Sequence, residues 1–331
     1  MTDSSLRKFH NGSGVGAEFA GTFCAIVPPS GLSQPSHSGK RMSPHRARRL
    51  IGGLLALVLT ASVQAAPPPK AHSRLVPDVA LRSRAAMVVR ADTGAVLYRK
   101  NADQPLPIAS ITKLMTAMVV LDARQPMDEP IDITDAEVDR LRRTTSRLAV
   151  GTCLTRGELL RLALMASENR AAAALLRSYP GGKAAGVAAM NRKARALGMT
   201  QTRFVEATGL SGDNQSSPAD LVRLVRAASG YSIIHAYSTT PDYTVKVGRH
   251  LTQFRNTNPL VRNPQWDIDV TKTGYHSEAG RCLVMQATIT GKPVVMVLMD
   301  SVGSQTRVGD ANRVRRWIEA SADQVQVTAR R

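Results

Sequence analysis

The hydrophobic positions change period along the chain, and those changes mark out its elements. Apolar runs at 85–90 and 95–98 flank Asp92-Thr93-Gly94, which predicts a β-hairpin around a glycine-containing turn. A proline-marked extended segment at 104–107 leads into an apolar helix over roughly 110–123. A short strand at 131–133, a short helix at 135–141 and an apolar piece at 148–150 come next. Thr155 stands three residues before Glu158, a capping box that opens a helix with Leu159, Leu160, Leu162, Ala163 and Met165 on its apolar face. That helix stops near Ser167-Glu168-Asn169. A second covers 171–178 and ends at Pro180-Gly181-Gly182, and a third covers 184–197 and ends at Gly198. Loop segments at 204–209 and 212–214 precede a helix opened by Ser217 as N-cap with Pro218 at its first position. An apolar piece at 233–237 is helical or extended, 243–247 alternates like a strand, and 253–258 reads as polar loop. A strand at 267–273 precedes a hairpin, 282–290 and 293–299, around Gly291-Lys292. The last helix, 307–320, carries Val308, Ala311, Val314, Trp317 and Ile318 on one side, and the tail after Ser321 is polar and expected to be loose.

A β-hairpin, a helical block, then strands and a closing helix predict an α+β fold. One antiparallel sheet takes strands from both chain ends and is flanked by helices, with a helical lobe inserted beside it. A cleft then lies between sheet and lobe, with Ser110 at its floor. This domain is expected over 81–322, with a polar tail at 323–331 and a tether at 66–80 that begins with Pro67-Pro68-Pro69-Lys70. Residues 1–41 are rich in glycine and serine and show no sustained period, as in a disordered segment or an extension upstream of a misassigned start. Met42 is the better start. Arg46, Arg48 and Arg49, the apolar run 50–59 and the small residues of Ala61-Ser62-Val63-Gln64-Ala65 make 42–65 a signal peptide, with cleavage expected after Ala65. The apolar run is too short for a standard membrane span, and an uncleaved anchor is the alternative.

Composition narrows the function. Aromatic residues are 4% of the chain, too few for the stacking platforms of a single-strand binder, and no nucleic-acid partner is expected. The formal net charge of +19 suits a polyanionic setting such as an anionic wall or membrane surface. The basic residues are spread out, among them Arg140, Arg142, Arg143, Arg147, Arg156 and Arg161, so a solvated basic surface is the competing reading. Of three cysteines, Cys24 precedes the expected cleavage point; Cys153 and Cys282 are expected as buried free thiols, with pairing as the alternative. No metal-ligand spacing occurs, and neither a metal nor a cofactor is expected.

Ser110 and Lys113 sit three apart at the start of the apolar helix, on one face and within reach of each other. A serine hydroxyl needs a nearby base, and a lysine amine one turn away serves if its pKa is lowered. The spacing alone is weak: Ser5 and Lys8 repeat it within the discarded leader. Two further motifs add weight. Ser167-Glu168-Asn169 lies at a helix junction, and Lys272-Thr273-Gly274 ends a strand. The three occur in the order characteristic of penicillin-binding proteins and class A β-lactamases.

With these motifs, in the stretches PIASITKLMTAMV, LTRGELLRLALMASENRAA and TKTGYHSEAGRCLVM, the chain resembles low-molecular-mass penicillin-binding proteins of the D-alanyl-D-alanine peptidase type, in their soluble endopeptidase branch, over roughly 80–320. The resemblance implies a β-lactamase/transpeptidase-like fold, hydrolysis of peptidoglycan stem-peptide bonds and acylation by β-lactam antibiotics; the expected signal peptide implies a periplasmic location. It implies that Ser110 is acylated, that Lys113, neutral at rest, takes its proton, and that Ser167 relays a proton to the leaving amine. Asn169 would bind the substrate backbone and orient Lys113, and Thr273 the substrate carboxylate. Gly274 would admit close approach of the peptide, the N–H groups of Ser110 and Tyr275 would form the oxyanion hole, and Lys272 would supply the positive charge that lowers the lysine pKa. Glu168 is expected as a solvated spacer, Arg307 as a second carboxylate ligand or simply the start of the last helix, and His276 as incidental. Met115, Met118 and Met165 are expected in the core. A β-lactamase would need a deacylating carboxylate; Glu206 and Asp213 are in the loop, without a recognisable pattern. A wall-binding protein that has lost catalysis is at odds with three intact motifs. A carboxypeptidase is expected to continue into a further β-domain and an amphipathic helix, whereas here the chain ends soon after Trp317-Ile318.

Overall fold

The computed structural model describes residues 79–329. The expected leader, the signal segment and all but the last two residues of the tether lie outside the described residues. In chain order the strands and helices are β1 (Ser83–Arg90), β2 (Val96–Lys100), β3 (Leu106–Pro107), α1 (Thr112–Asp122), β4 (Pro130–Asp132), β5 (Cys153–Thr155), α2 (Arg156–Met165), α3 (Asn169–Arg177), α4 (Gly182–Ala196), β6 (Gln215–Ser216), α5 (Pro218–Ala228), α6 (Ser232–Ser238), β7 (Asp242–Val247), β8 (His250–Arg255), β9 (Asp267–His276), β10 (Gly280–Ile289), β11 (Lys292–Ser301) and α7 (Thr306–Ala329).

The main sheet is five-stranded and antiparallel, in the order β2-β1-β11-β10-β9. The chain's first hairpin and its last three strands share it, as the α+β reading expects. Alternation along each strand sends side chains to two cores. Cys282 and Val284 of β10 face the helical core with α1, α2, α3 and α5, whereas Leu283, Met285, Ala287 and Ile289 face α7. There Ala311 and Val314 are buried, with Val308, Trp317 and Ile318 packed beside them. Asp310 locks α7 to β1. Its buried carboxylate accepts the N–H groups of Arg82 (3.1 Å) and Ser83 (2.7 Å) and the Ser83 hydroxyl (2.6 Å).

Several elements differ from expectation. The segment 135–141 forms only a single 3-10 turn at Asp135–Glu137. Beyond it the Asp139 carboxylate accepts the N–H groups of Leu141, Arg142 and Thr144, an alternative to helix that the aspartate itself supplies. The polar stretch at 253–258 is partly strand: β8 pairs with β7, and Phe254 is fully buried. The last helix runs on to Ala329, past Ser321, because no glycine or proline follows Gly309 to stop it. Cys282 is a buried free thiol whose pKa burial raises to about 11. Cys153 departs from expectation: it is exposed, and because Cys282 is a free thiol the two do not pair. Among the described residues no helix is long and apolar enough to cross a membrane, and no cluster of His, Cys, Asp or Glu has a metal-binding arrangement.

Candidate active site

Helix α1 is buried along its length from Thr112 to Val120, so Lys113 lies inside the protein rather than on a helix surface. The chain enters through β3, which pairs with β6, and then through a 3-10 turn at Ala109–Ile111. Ser110 therefore precedes α1 instead of opening it. Its hydroxyl caps nothing; it accepts a hydrogen bond from Lys113 Nζ at 2.8 Å. The same nitrogen donates to Asn169 Oδ1 at 2.8 Å and to the Thr208 carbonyl at 2.6 Å. Three acceptors suit an ammonium. In the neutral amine two N–H groups can keep Asn169 and Thr208 while the lone pair faces the serine.

Two glycines pack closely against the Ser110 turn. A Cβ on Gly274 would come 2.9 Å from the Ile108 carbonyl and 3.2 Å from Ser110 N. One on Gly209 would come 1.9 Å from the Ala109 carbonyl oxygen, and Gly209 has φ +81°. Ala109 itself has φ +45° and Ser167 φ +60°, left-handed values that alanine and serine adopt only when their surroundings impose them.

Strand β9 is an edge strand of the sheet, and Thr271 N–H on its outer side donates to Ser238 Oγ at 3.3 Å. With no register shift between Thr271 and His276, the N–H groups of Thr273 and Tyr275 point to that same side, beside Ser110. Lys272 is buried and donates to the Thr273 carbonyl at 3.0 Å. Thr273 donates its hydroxyl to Thr257 at 2.6 Å. The Tyr275 ring is exposed, with the Arg281 guanidinium 4.3 Å from its centroid. Thus Ser110, Lys113 and Asn169 form one hydrogen-bonded cluster, with Gly274 packed on the serine turn. Ser167 adjoins Asn169 but makes no side-chain hydrogen bond among the described residues.

Burial sets the electrostatics. Desolvation lowers the Lys113 pKa to about 8, against the pull of the Glu206 and Glu168 carboxylates, which raise it. This corrects the expectation that the charge of Lys272 is the cause, and at neutral pH Lys113 is only partly deprotonated. Lys272 is itself pushed well below the ordinary lysine value by burial, then by the charges of Lys113 and Arg307. Glu168 is not a solvated spacer: it is buried, accepts the Ser146 hydroxyl at 2.6 Å and caps α3. Arg307 donates to the carbonyls of Gly274 (3.0 Å) and Cys282 (3.4 Å) and so braces β9 against β10. His276 is buried; its Nδ1 accepts from Ala279 N–H, and burial, then Arg142, lowers its pKa.

Sequence reading missed the part played by residues 206–209. The Glu206 carboxylate accepts from Thr208 N, Thr208 Oγ1, Gly209 N and Asn214 Nδ2, at 2.5 to 2.8 Å. This folds the loop so that the Thr208 carbonyl meets Lys113. A carbonyl acceptor has no side-chain signature; the one available signal was a Glu-Ala-Thr-Gly turn.

A serine hydroxyl in contact with a buried lysine of lowered pKa, beside the outer N–H groups of an edge strand, defines a serine acyl-transfer enzyme. The chain belongs to the D-alanyl-D-alanine carboxypeptidase family, whose model matches residues 70–303. It is 49% identical over 287 residues to a D-alanyl-D-alanine endopeptidase of Pseudomonas aeruginosa, covering 86% of this chain and 91% of that one. Among solved structures it resembles a Streptomyces DD-transpeptidase (TM-score 0.68, 30% identity, 72% of this chain and 98% of that one). It also resembles a penicillin-binding protein of Listeria monocytogenes with bound cefotaxime (TM-score 0.62, 30% identity, 73% of this chain and 98% of that one).

Proposed function

We propose that the protein is a serine D-alanyl-D-alanine endopeptidase that hydrolyses peptidoglycan stem-peptide crosslinks through an acyl-enzyme on Ser110. The observation that carries this reading is Lys113 Nζ, 2.8 Å from Ser110 Oγ and held by Asn169 and Thr208. Neutral Lys113 accepts the hydroxyl proton as Oγ attacks the carbonyl of the D-alanine. The N–H groups of Ser110 and Tyr275 stabilise the tetrahedral oxyanion. As the C–N bond breaks, Ser167 gives its hydroxyl proton to the leaving amine and takes the proton held by Lys113, which returns to the neutral amine. Water then attacks the ester, one of its protons goes to Lys113, and Lys113 returns that proton to Oγ as the ester C–O bond breaks, so that Ser110 leaves as the free hydroxyl. Outer-edge groups of β9 take the peptide as an added strand, Gly274 admits its close approach, and Lys272 and Thr273 receive its carboxylate.

A β-lactam follows the same first step, its ring amide opening onto Ser110. Glu206, with four donors on its carboxylate, is not free to activate water, which favours a lasting adduct over β-lactamase turnover. The protein acts in the periplasm after cleavage behind Ala65, and its basic surface supports association with the anionic wall. Ser110→Ala should abolish labelling by a fluorescent penicillin; persistent labelling would show the nucleophile to be another residue. Crosslinked dimeric muropeptides should be cleaved. Activity on pentapeptide monomers alone would make the protein a carboxypeptidase. N-terminal sequencing of the exported protein tests the cleavage point, and a start upstream of residue 60 overturns it.

A further inference from the structure

The side-chain amide of Asn169 must present its oxygen, not its nitrogen, to Lys113, because the amine donates N–H in both of its protonation states. Oxygen and nitrogen exchange places when the amide turns over, so something must hold the orientation. On the far side, Asn169 Nδ2 donates to Thr144 Oγ1 at 3.2 Å. The Thr144 hydroxyl donates its own hydrogen to Asp139 Oδ2 at 2.7 Å, which leaves Oγ1 free only to accept. A carboxylate has no hydrogen to give, so the polarity of the whole line is set at its outer end. Thr144 donates to Asp139, Asn169 to Thr144, and Lys113 to Asn169. Turning the amide over would place Nδ2 against the lysine, donor against donor at 2.8 Å, and Oδ1 against a hydroxyl whose hydrogen is already committed.

Asp139 is in turn held. It accepts the N–H groups of Leu141 (2.9 Å), Arg142 (3.0 Å) and Thr144 (2.9 Å). Burial acts against its charge, but the hydrogen bonds from Arg142, Thr144 and Leu141 outweigh it and leave its pKa below the ordinary value. None of the three sequence motifs contains Thr144 or Asp139. Asp139 belongs to the segment that departs from the expected helix and Thr144 follows it, and the carboxylate that turns the chain there also orients the threonine.

We propose that Thr144, oriented by Asp139, is a positioning residue that fixes the Asn169 amide with its oxygen toward Lys113. The proposal rests on Ser110 and Lys113 being the acylating pair. It is tested by acylation rates with a fluorescent penicillin between pH 6 and 9, together with thermal unfolding, for the wild type, Thr144→Val and Thr144→Ser. Thr144→Val keeps the shape and removes the hydroxyl. Its plateau rate should fall about tenfold, the worth of one misplaced hydrogen bond. Its pH limb should move to lower pH, because the lysine loses an acceptor that favours its charged form. Thr144→Ser should restore both. Fold loosening alone would lower the unfolding midpoint without moving the limb. Thr144→Val with wild-type rate and limb overturns the proposal, as does Thr144→Ser no better than Thr144→Val. Wild-type protein that takes no label fails the acyl-enzyme reading itself, whereas labelled wild type with an unaffected Thr144→Val fails only the role of Thr144.

Discussion

Lowering the pH should slow acylation of Ser110, and the size of the effect follows from the burial of Lys113. The base is the neutral amine, so the rate tracks the deprotonated fraction, which rises with pH. With a pKa of about 8, that fraction is ~1% at pH 6, ~10% at pH 7, ~50% at pH 8 and ~90% at pH 9. The acylation rate constant should therefore rise about tenfold from pH 6 to 7, then level off above pH 9. The assay is stopped-flow or gel-based labelling with a fluorescent penicillin that has no group titrating in this range, with far-UV circular dichroism to show that the fold is intact at each pH. Glu168→Gln gives an independent arm. The Glu168 carboxylate raises the Lys113 pKa, so its neutral amide should move the limb to lower pH while still capping α3. A rate flat from pH 6 to 9, or one still rising steeply at pH 9 toward the ordinary lysine value of 10.5, would refute the argument that burial sets the base.

Three further substitutions test the supports of the site and the sheet. Gly209→Ala places a Cβ 1.9 Å from the Ala109 carbonyl oxygen at a left-handed φ; it should lower stability by about 3 kcal/mol and remove most penicillin labelling, read by urea unfolding and gel fluorescence. Glu206→Ala leaves the N–H groups of Thr208 and Gly209 without their acceptor, and should cost about 2–4 kcal/mol while slowing acylation, because the Thr208 carbonyl is no longer held against Lys113. Asp310→Ala strands the N–H groups of Arg82 and Ser83 and should lower stability by about 3 kcal/mol in chemical denaturation; acylation by the protein that remains folded should be unchanged, since Asp310 bonds to the start of β1 and to none of Ser110, Lys113 and Asn169.

Local signals were legible in the sequence where residue type alone decides the outcome. The capping box at Thr155 and Glu158, the Ser217-Pro218 helix start, the Gly291 hairpin and the apolar side of α7 all stand where spacing and side-chain chemistry put them. So does the helix junction that carries Ser167 and Asn169. Where the sequence misled, a particular side-chain or strand partner intervened. Phe254 is drawn into a strand by β7, and the Asp139 side chain diverts a helical pattern into a turn. The Glu168 carboxylate, unremarkable in sequence, finds the Ser146 hydroxyl.

By itself the sequence determined the identity and order of three reactive motifs, the α+β succession of elements and a nucleophile paired with a lysine three residues on. These depend on neighbours along the chain, which a linear reading contains. Only the tertiary structure decided that Lys113 is buried on every side, that burial rather than Lys272 lowers its pKa, and that its other bonds run to Asn169 and the Thr208 carbonyl. The reason is physical: desolvation and hydrogen-bond polarity belong to the groups that surround an atom, and folding brings those groups from distant parts of the chain.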